Sequence, residues 1–232
     1  MPIESKYIRG TLATALDGDL GRVKDLLFDD HAWTVRYVVV DTKRWLPGRK
    51  TVVSPVSLQR LDLSADRLYF DLTREQIESA PPLVEHEPVH LKYEKKLANQ
   101  MAWPIYWPTF RRRPSNQNET GNEDLVPDDT HLRSMNEVHS YRIRAPDGET
   151  GRLEDSLVDL DTWVIRYLTV DIDNRLAART VLISPRWVEH VDCAGRELQV
   201  DITAGLIANC PAYDRSLPLT RSYQERLSAY YG

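Results

Sequence analysis

Two cysteines, three phenylalanines and ten glycines in 232 residues leave little material for several kinds of protein. Cys193 and Cys210 alone can build neither a disulfide scaffold nor a four-cysteine zinc site. No run approaches the roughly 18 to 20 uninterrupted apolar residues of a membrane-spanning helix. The apolar run Val38-Val39-Val40, for example, sits between Arg36 and Asp41. Charge of one sign is also scarce: 30 basic and 35 acidic residues leave a net −5, the opposite of the footprint of a protein that lives on nucleic acid or anionic lipid. The first residues, Met1-Pro2-Ile3-Glu4-Ser5-Lys6, show no secretory signal, so a cytoplasmic location is expected. No glycine-rich phosphate cradle occurs.

What is present is an apolar fraction of 41%, enough for a packed core, and an internal repeat. Sliding the chain by 130 residues places Asp17-Gly18 on Asp147-Gly148, Gly21-Arg22 on Gly151-Arg152, and Asp25, Leu27 and Asp29 on Asp155, Leu157 and Asp159. Trp33, Arg36, Tyr37, Val40 and Asp41 fall on Trp163, Arg166, Tyr167, Val170 and Asp171, and Arg49, Ser54 and Pro55 on Arg179, Ser184 and Pro185. The register persists without a gap to Pro88, Tyr93 and Leu97, which meet Pro218, Tyr223 and Leu227. The division is therefore 1–102 for one copy with its terminal helix, 103–130 for an aromatic then polar linker, and 131–232 for the second copy with its terminal helix. The linker's 111–124 run, from three arginines into an Asn-rich polar stretch, has almost no apolar side chains with which to offset the cost of ordering.

Apolar residues recur at a spacing of two, which signals strands. Residues 33–41 and 163–171 are dense in β-branched and aromatic types. The Asp17-Gly18 and Asp147-Gly148 pairs read as turns that join a strand at 10–15 to one at 22–28, and their counterparts in the second copy. Further short strands are expected at about 50–54, 58–63 and 67–71, followed by a helix that Thr73 caps and Pro81-Pro82 ends. Residues 93–98 and 223–229 read as short amphipathic helices. Many short strands closed by a small helix suggest a compact antiparallel barrel, an arrangement that removes free sheet edges.

The order of these motifs is similar to the PRC-barrel domain: a Gly-Arg-Val-Lys-Asp-Leu-Leu-Phe-Asp strand at 21–29, Trp-x-x-Arg-Tyr-x-x-Val-Asp at 33–41, Ser54-Pro55, and Asp-Leu-Thr-x-Glu-x-Ile at 71–77. Residues 4–82 and 134–212 carry the resemblance, and residues 93–107 resemble an extension of bacterial stand-alone PRC-barrel proteins. The resemblance implies a mainly β protein of two small antiparallel PRC-type β-barrels in tandem, each with a short C-terminal helix. It also implies a kinship with the cytoplasmic domain of the photosynthetic reaction-centre H subunit and with a ribosome-maturation factor. Such motifs specify a fold and say little about function.

Candidate chemistry is sparse. His86-Glu87-Pro88-Val89-His90 spells a zinc-protease pattern, but that motif needs a helix, and a mid-motif proline costs about 3 kcal/mol or more. The second copy replaces the histidines with Ser216 and Thr220. Asp29, Asp30 and Asp41, with Asp159, Asp161 and Asp171, are read as turn formers and surface charges rather than cation ligands. The Arg36/Arg166 and Asp41/Asp171 pairs, kept in both copies, are read as structural ion pairs or caps rather than an anion or proton site, and Trp33, Trp163, Tyr37 and Tyr167 as core or barrel-mouth aromatics. Ser54 and Ser184 lack the glycines of a nucleophile elbow. The expectation is a protein that is not an enzyme and has no cofactor or metal.

The differences between copies carry the functional expectation. Trp45 sits in a hairpin loop where the second copy has Arg175, and Trp187 stands where the first copy has Ser57. Trp103, Tyr106 and Trp107 precede Arg111-Arg112-Arg113 and make the densest aromatic and basic cluster. These five aromatics are the candidate partner-binding residues, because large aromatics anchor interfaces. The expected function is an assembly or scaffolding protein with a protein partner, or a homo-oligomer. Two alternatives follow from the resemblance: a peripheral component of a photosynthetic or electron-transport membrane complex, at the inner membrane face, and an RNA- or ribosome-associated factor. Net charge makes a nucleic-acid partner the weakest of these.

Overall fold

The computed structural model describes residues 2–43, 46, 50–80, 97, 101, 103, 132–174 and 177–232, with 173, 174, 177 and 178 described by backbone alone. The strands are β1 (Pro2–Glu4), β2 (Leu12–Ala15), β3 (Gly18–Asp29), β4 (Thr34–Asp41), β5 (Lys50–Val53), β6 (Leu58–Asp62) and β7 (Arg67–Phe70), before the helix α1 (Arg74–Ser79). Then come β8 (Leu132–Ser134), α2 (Met135–Val138), β9 (Arg142–Ala145), β10 (Gly148–Asp159), β11 (Ile165–Asn174), β12 (Ala177–Ile183), β13 (Val188–Asp192), β14 (Glu197–Val200), α3 (Ala204–Ala208) and α4 (Arg221–Tyr231). The strands fall close to where the period-two spacing puts them.

Two seven-stranded sheets share one topology. The first runs β5-β4-β3-β2-β7-β6 and the second β12-β11-β10-β9-β14-β13. Pairing along each path is antiparallel except for β2 with β7 and β9 with β14, which are parallel. The parallel pair arises because β7 returns beside β2 after the intervening strands have crossed. Each path stays open between its end strands among the described residues, so the edge that full closure would remove is present at β6 and β13.

The seventh strand of each sheet comes from the other half of the chain. β1 lies on β10, with Pro2, Ile3 and Glu4 opposite Asp159, Val158 and Leu157. β8 lies on β3, with Leu132, Arg133 and Ser134 opposite Asp29, Phe28 and Leu27. Residues 2–4, read as the start of the first copy, thus belong to the second sheet, and 132–134 to the first. A single hydrophobic core runs through both sheets, from Ile8, Phe28, Trp33 and Val35 to Val158, Trp163, Ile165 and Leu168. β4 is buried on both faces: Val35, Val38 and Val40 face this core, while Tyr37 and Val39 pack with Val52, Ala80 and Leu97 on the outer side. The second sheet's outer side is covered by α4, where the Tyr223 and Tyr231 hydroxyls donate to the carbonyls of Pro211 and Leu182.

Local signals explain the short helices. The Thr73 hydroxyl accepts from the Gln76 N–H, and the Gln76 carboxamide accepts from the Thr73 N–H, a reciprocal cap at the start of α1. The turn aspartates have a second role that the sequence hides: the Arg74 N–H donates to Asp17 at 2.9 Å and the Ala204 N–H to Asp147 at 2.7 Å. Each hairpin is thereby tied to the first turn of its own unit's helix.

Candidate functional site

The seam between the units is built first by the tips of two hairpins. Asp29 Oδ1 accepts from the His31 and Ala32 N–H groups, both at 2.8 Å, and so shapes the β3–β4 turn. Asp159 does the same for Asp161 and Thr162. Each turn ends in a tryptophan with left-handed backbone, Trp33 at φ 49° and Trp163 at φ 58°. For a bulky residue that conformation costs about 1 to 3 kcal/mol. It aims each carbonyl at the opposite unit: Trp163 accepts from the Val35 N–H at 2.8 Å and Trp33 from the Ile165 N–H at 2.7 Å. Both indoles are buried, Trp33 stacked on Phe28.

The ion pairs form across the β3–β4 hairpin and its counterpart. Arg36 pairs with Asp29, and Arg166 with Asp159 at 3.5 Å, while Asp41 meets Lys24. Arg36 and Asp41 share one strand five residues apart, about 17 Å at strand rise, and an odd separation puts them on opposite faces. Asp29 is buried rather than a surface charge. Arg133, from the second half of the chain, holds Asp30 at 2.6 Å.

The second part of the seam is a polar layer under the crossing segments 5–9 and 134–139. Asp155 on β10 accepts from the Ser5 hydroxyl at 2.5 Å and the Lys6 N–H at 3.3 Å. Asp25 on β3 repeats this with the Ser134 hydroxyl at 2.5 Å and the Asn136 N–H at 3.1 Å. Burial pushes the Asp25 carboxyl above the usual carboxylate range, against the opposing pull of Ser134. Arg9 and His139 occupy the same place in the two copies, and both lie beside Asp155, at 4.0 and 3.7 Å. Burial pushes His139 down to about 4, Asp155 opposing and Arg9 reinforcing the shift.

A pH dependence follows. Between the ordinary histidine value near 6.5 and the folded value near 4, the unfolded chain binds the proton and the folded chain does not. Stability is therefore full above pH 6.5 and lost as pH falls toward 4, by about 3 kcal/mol at most from this group. Asp25, raised instead, acts with the opposite sign: its contribution is lost as pH rises through its folded value. Urea unfolding at pH 7 and pH 4.5 is expected to show a smaller acid loss for His139→Gln than for the native chain. Equal losses would remove His139 as the cause.

Along the seam lies a cleft of about 750 Å³, lined on one side by Pro55, Val56 and residues 58–61 of the first unit and on the other by Leu160, Asp161, Thr162 and Trp163 of the second. Val56 is 41% exposed there. The PRC-barrel domain model matches residues 13–77, which span β2 to α1 and include the cleft's first wall. This segment is similar to the PRC-barrel domain. No curated protein matches the chain.

The aromatics singled out in the sequence do not meet in one place. Trp187 lies half-buried beside the second sheet, its ring 6.4 Å from that of Tyr231 with the Arg186 guanidinium 4.7 Å above it. Trp103 is half-buried and packs on the outer side of the first sheet, against the cluster of Tyr37, Val39, Val52, Ala80 and Leu97. Trp45, Tyr106, Trp107 and the 86–90 motif lie outside the described residues. Among the described residues no group of three or more His, Cys, Asp or Glu side chains could hold a metal ion, and no helix is long and apolar enough to cross a membrane. Sequence reading did not reach the cleft residues, because β6 becomes an edge only through the strand order. It also missed the paired role of Asp25 and Asp155, although their place in the repeat was a usable signal.

Proposed function

We propose that the chain is a non-enzymatic binding and scaffolding protein that takes a protein partner at the seam cleft. The observation that supports this is the composition of the cleft's walls: a partner seated there touches the first unit through Pro55, Val56 and residues 58–61 and the second unit through residues 160–163 at once. Reciprocal strand pairing and a shared core hold the two walls together, so little further ordering of the chain is needed on binding. The PRC-barrel match at residues 13–77 fits a role of this kind, since it identifies a fold without an attached reaction.

The test is a comparison of captured proteins. Val56 is exposed on the cleft wall, so Val56→Glu should leave the fold intact while placing a charge where the partner must desolvate. Immobilised native and Val56→Glu proteins are incubated with extract of the source cell and the retained proteins identified by mass spectrometry. A partner retained by the native chain and depleted at least tenfold by the variant is expected. Identical retained sets would overturn the cleft as the docking place.

A further inference from the structure

We infer that the cleft takes its partner as an extended segment that adds as a strand to the free edge of β6, with an acidic side chain directed at Arg60; this rests on the reading of the cleft as a docking site. The cleft is touched by Leu58, Gln59, Arg60 and Leu61, four consecutive residues of one strand. Leu58 and Arg60 flank a bulge at Gln59, and the side chains of the four lie on both faces of the sheet, so a space that meets all four runs along the strand's edge and faces its peptide groups. β6 ends the path of the first sheet and, among the described residues, has β7 as its one strand neighbour. The other edge therefore presents N–H and C=O groups, and an extended chain supplies the matching ones. A helix cannot, because its own backbone groups are already paired internally.

The molecule already closes sheet margins by this device. β1 and β8, three residues each, add to β10 and β3 across the seam, and each is anchored at its C-terminal end by a serine hydroxyl bound to an aspartate, Asp155 buried and Asp25 half-buried. The cleft continues that same seam, since Trp163 lines it and also accepts the inter-unit bond from Val35. The far wall, residues 160–163, covers one face of an inserted strand, and Val56, Leu58 and Leu61 offer apolar surface to its side chains. Arg60 supplies the charge preference. Its guanidinium stacks over Tyr69, 4.2 Å from the ring centroid, and is exposed on the strand; it attracts the nearby Asp62 through space, and its N–H fork can take a further carboxylate. Asp161 stands across the cleft, which sets the acidic residue of the segment on the Arg60 side.

The probe is a randomised twelve-residue peptide library displayed on phage and panned against the full chain, followed by measurements on the enriched peptides. Three results are expected. Enriched peptides carry Asp or Glu flanked by alternating apolar positions; binding slows amide exchange in residues 58–62; and Arg60→Glu weakens binding at least tenfold while Arg60→Gln weakens it less. N-methylation at alternate peptide amides should abolish binding in one register and spare it in the other. Enrichment of helical peptides, binding without protection of β6, or failure to enrich any peptide would overturn the inference. So would protection of β6 by self-association of the chain without peptide, which would make a second copy the occupant. If Val56→Glu depletes a captured partner and β6 stays unprotected by it, the cleft stands as a docking site and strand addition alone fails.

Discussion

Gly21→Ala is expected to destabilise the protein by about 4 kcal/mol, the sum of about 1 to 3 for backbone strain and about 1 to 3 for overpacking. Gly21 has φ +141°, and a Cβ there would lie 1.8 Å from the Asp41 carbonyl oxygen and 2.8 Å from its carbon. Backbone of the neighbouring strand cannot rotate away as a side chain would. The glycine sits where β2 and β3 lose register, between the pairs Ala13–Gly21 and Thr14–Asp19, so the strand bends as it passes under β4. Gly151 repeats the arrangement at φ +70°, with a Cβ at 2.4 Å from the Asp171 oxygen. Gly10 provides the control: its φ is +89° but nothing lies within 4 Å, so Gly10→Ala should show the strain cost alone. Urea unfolding of the three variants checks the order. A Gly21→Ala midpoint no lower than that of Gly10→Ala would show that the sheet relaxes around the added methyl.

Those two glycines illustrate what was legible in the sequence and why. The repeat paired Gly21 with Gly151 and Trp33 with Trp163, and each pair proves to carry a backbone angle that other residues avoid. Period two placed the strands because each strand faces a core on at least one side. The exchange of β1 and β8 was illegible for a physical reason. Three residues have too few positions to show a period, and the partner of residues 2–4 lies some 155 residues away, a pairing set by the whole fold rather than by local preference. The repeat itself was neutral on this point, since two copies that keep their own first strand and two that trade them have the same sequence. The partner of Arg36 was illegible for a related reason: the choice between Asp29 and Asp41 depends on which residues a hairpin brings side by side, and the β3–β4 register settles it in favour of Asp29. The cleft depended on still more, because its walls come from β6 and from a turn about 100 residues later.

The exchange also ties stability to one carboxylate in each sheet, and this gives the second large effect. Asp155→Ala is expected to cost about 3 to 5 kcal/mol, the range for removing one partner from a buried charged network. The Asp155 side chain is 2% exposed and is the acceptor for the Ser5 hydroxyl, the Lys6 N–H and the Ser156 N–H, the last at 2.7 Å. Alanine leaves those donors buried without an acceptor, and it removes the negative charge beside Arg9. The loss should be local before it is global, because β1 contributes only three ladder positions and the Ser5 anchor holds its end. Amide exchange of Ile3, Glu4 and Val158 should therefore accelerate well before that of β11 or β12. Asp155→Asn keeps an acceptor oxygen for the Ser5 hydroxyl but gives up the charge and the acceptor for the Lys6 N–H, so it should cost less than alanine, about 1 to 3 kcal/mol, and hold β1 in place, which keeps the comparison informative even if the alanine variant does not fold. Asp25→Ala, on the other sheet, should free β8 in the same way. If Asp155→Ala unfolds within about 0.5 kcal/mol of the native chain with β1 still protected, then the apolar contacts of Ile3 and Ile8 hold the exchanged segment without help from the carboxylate, and the polar layer at the seam has no part in joining the two units.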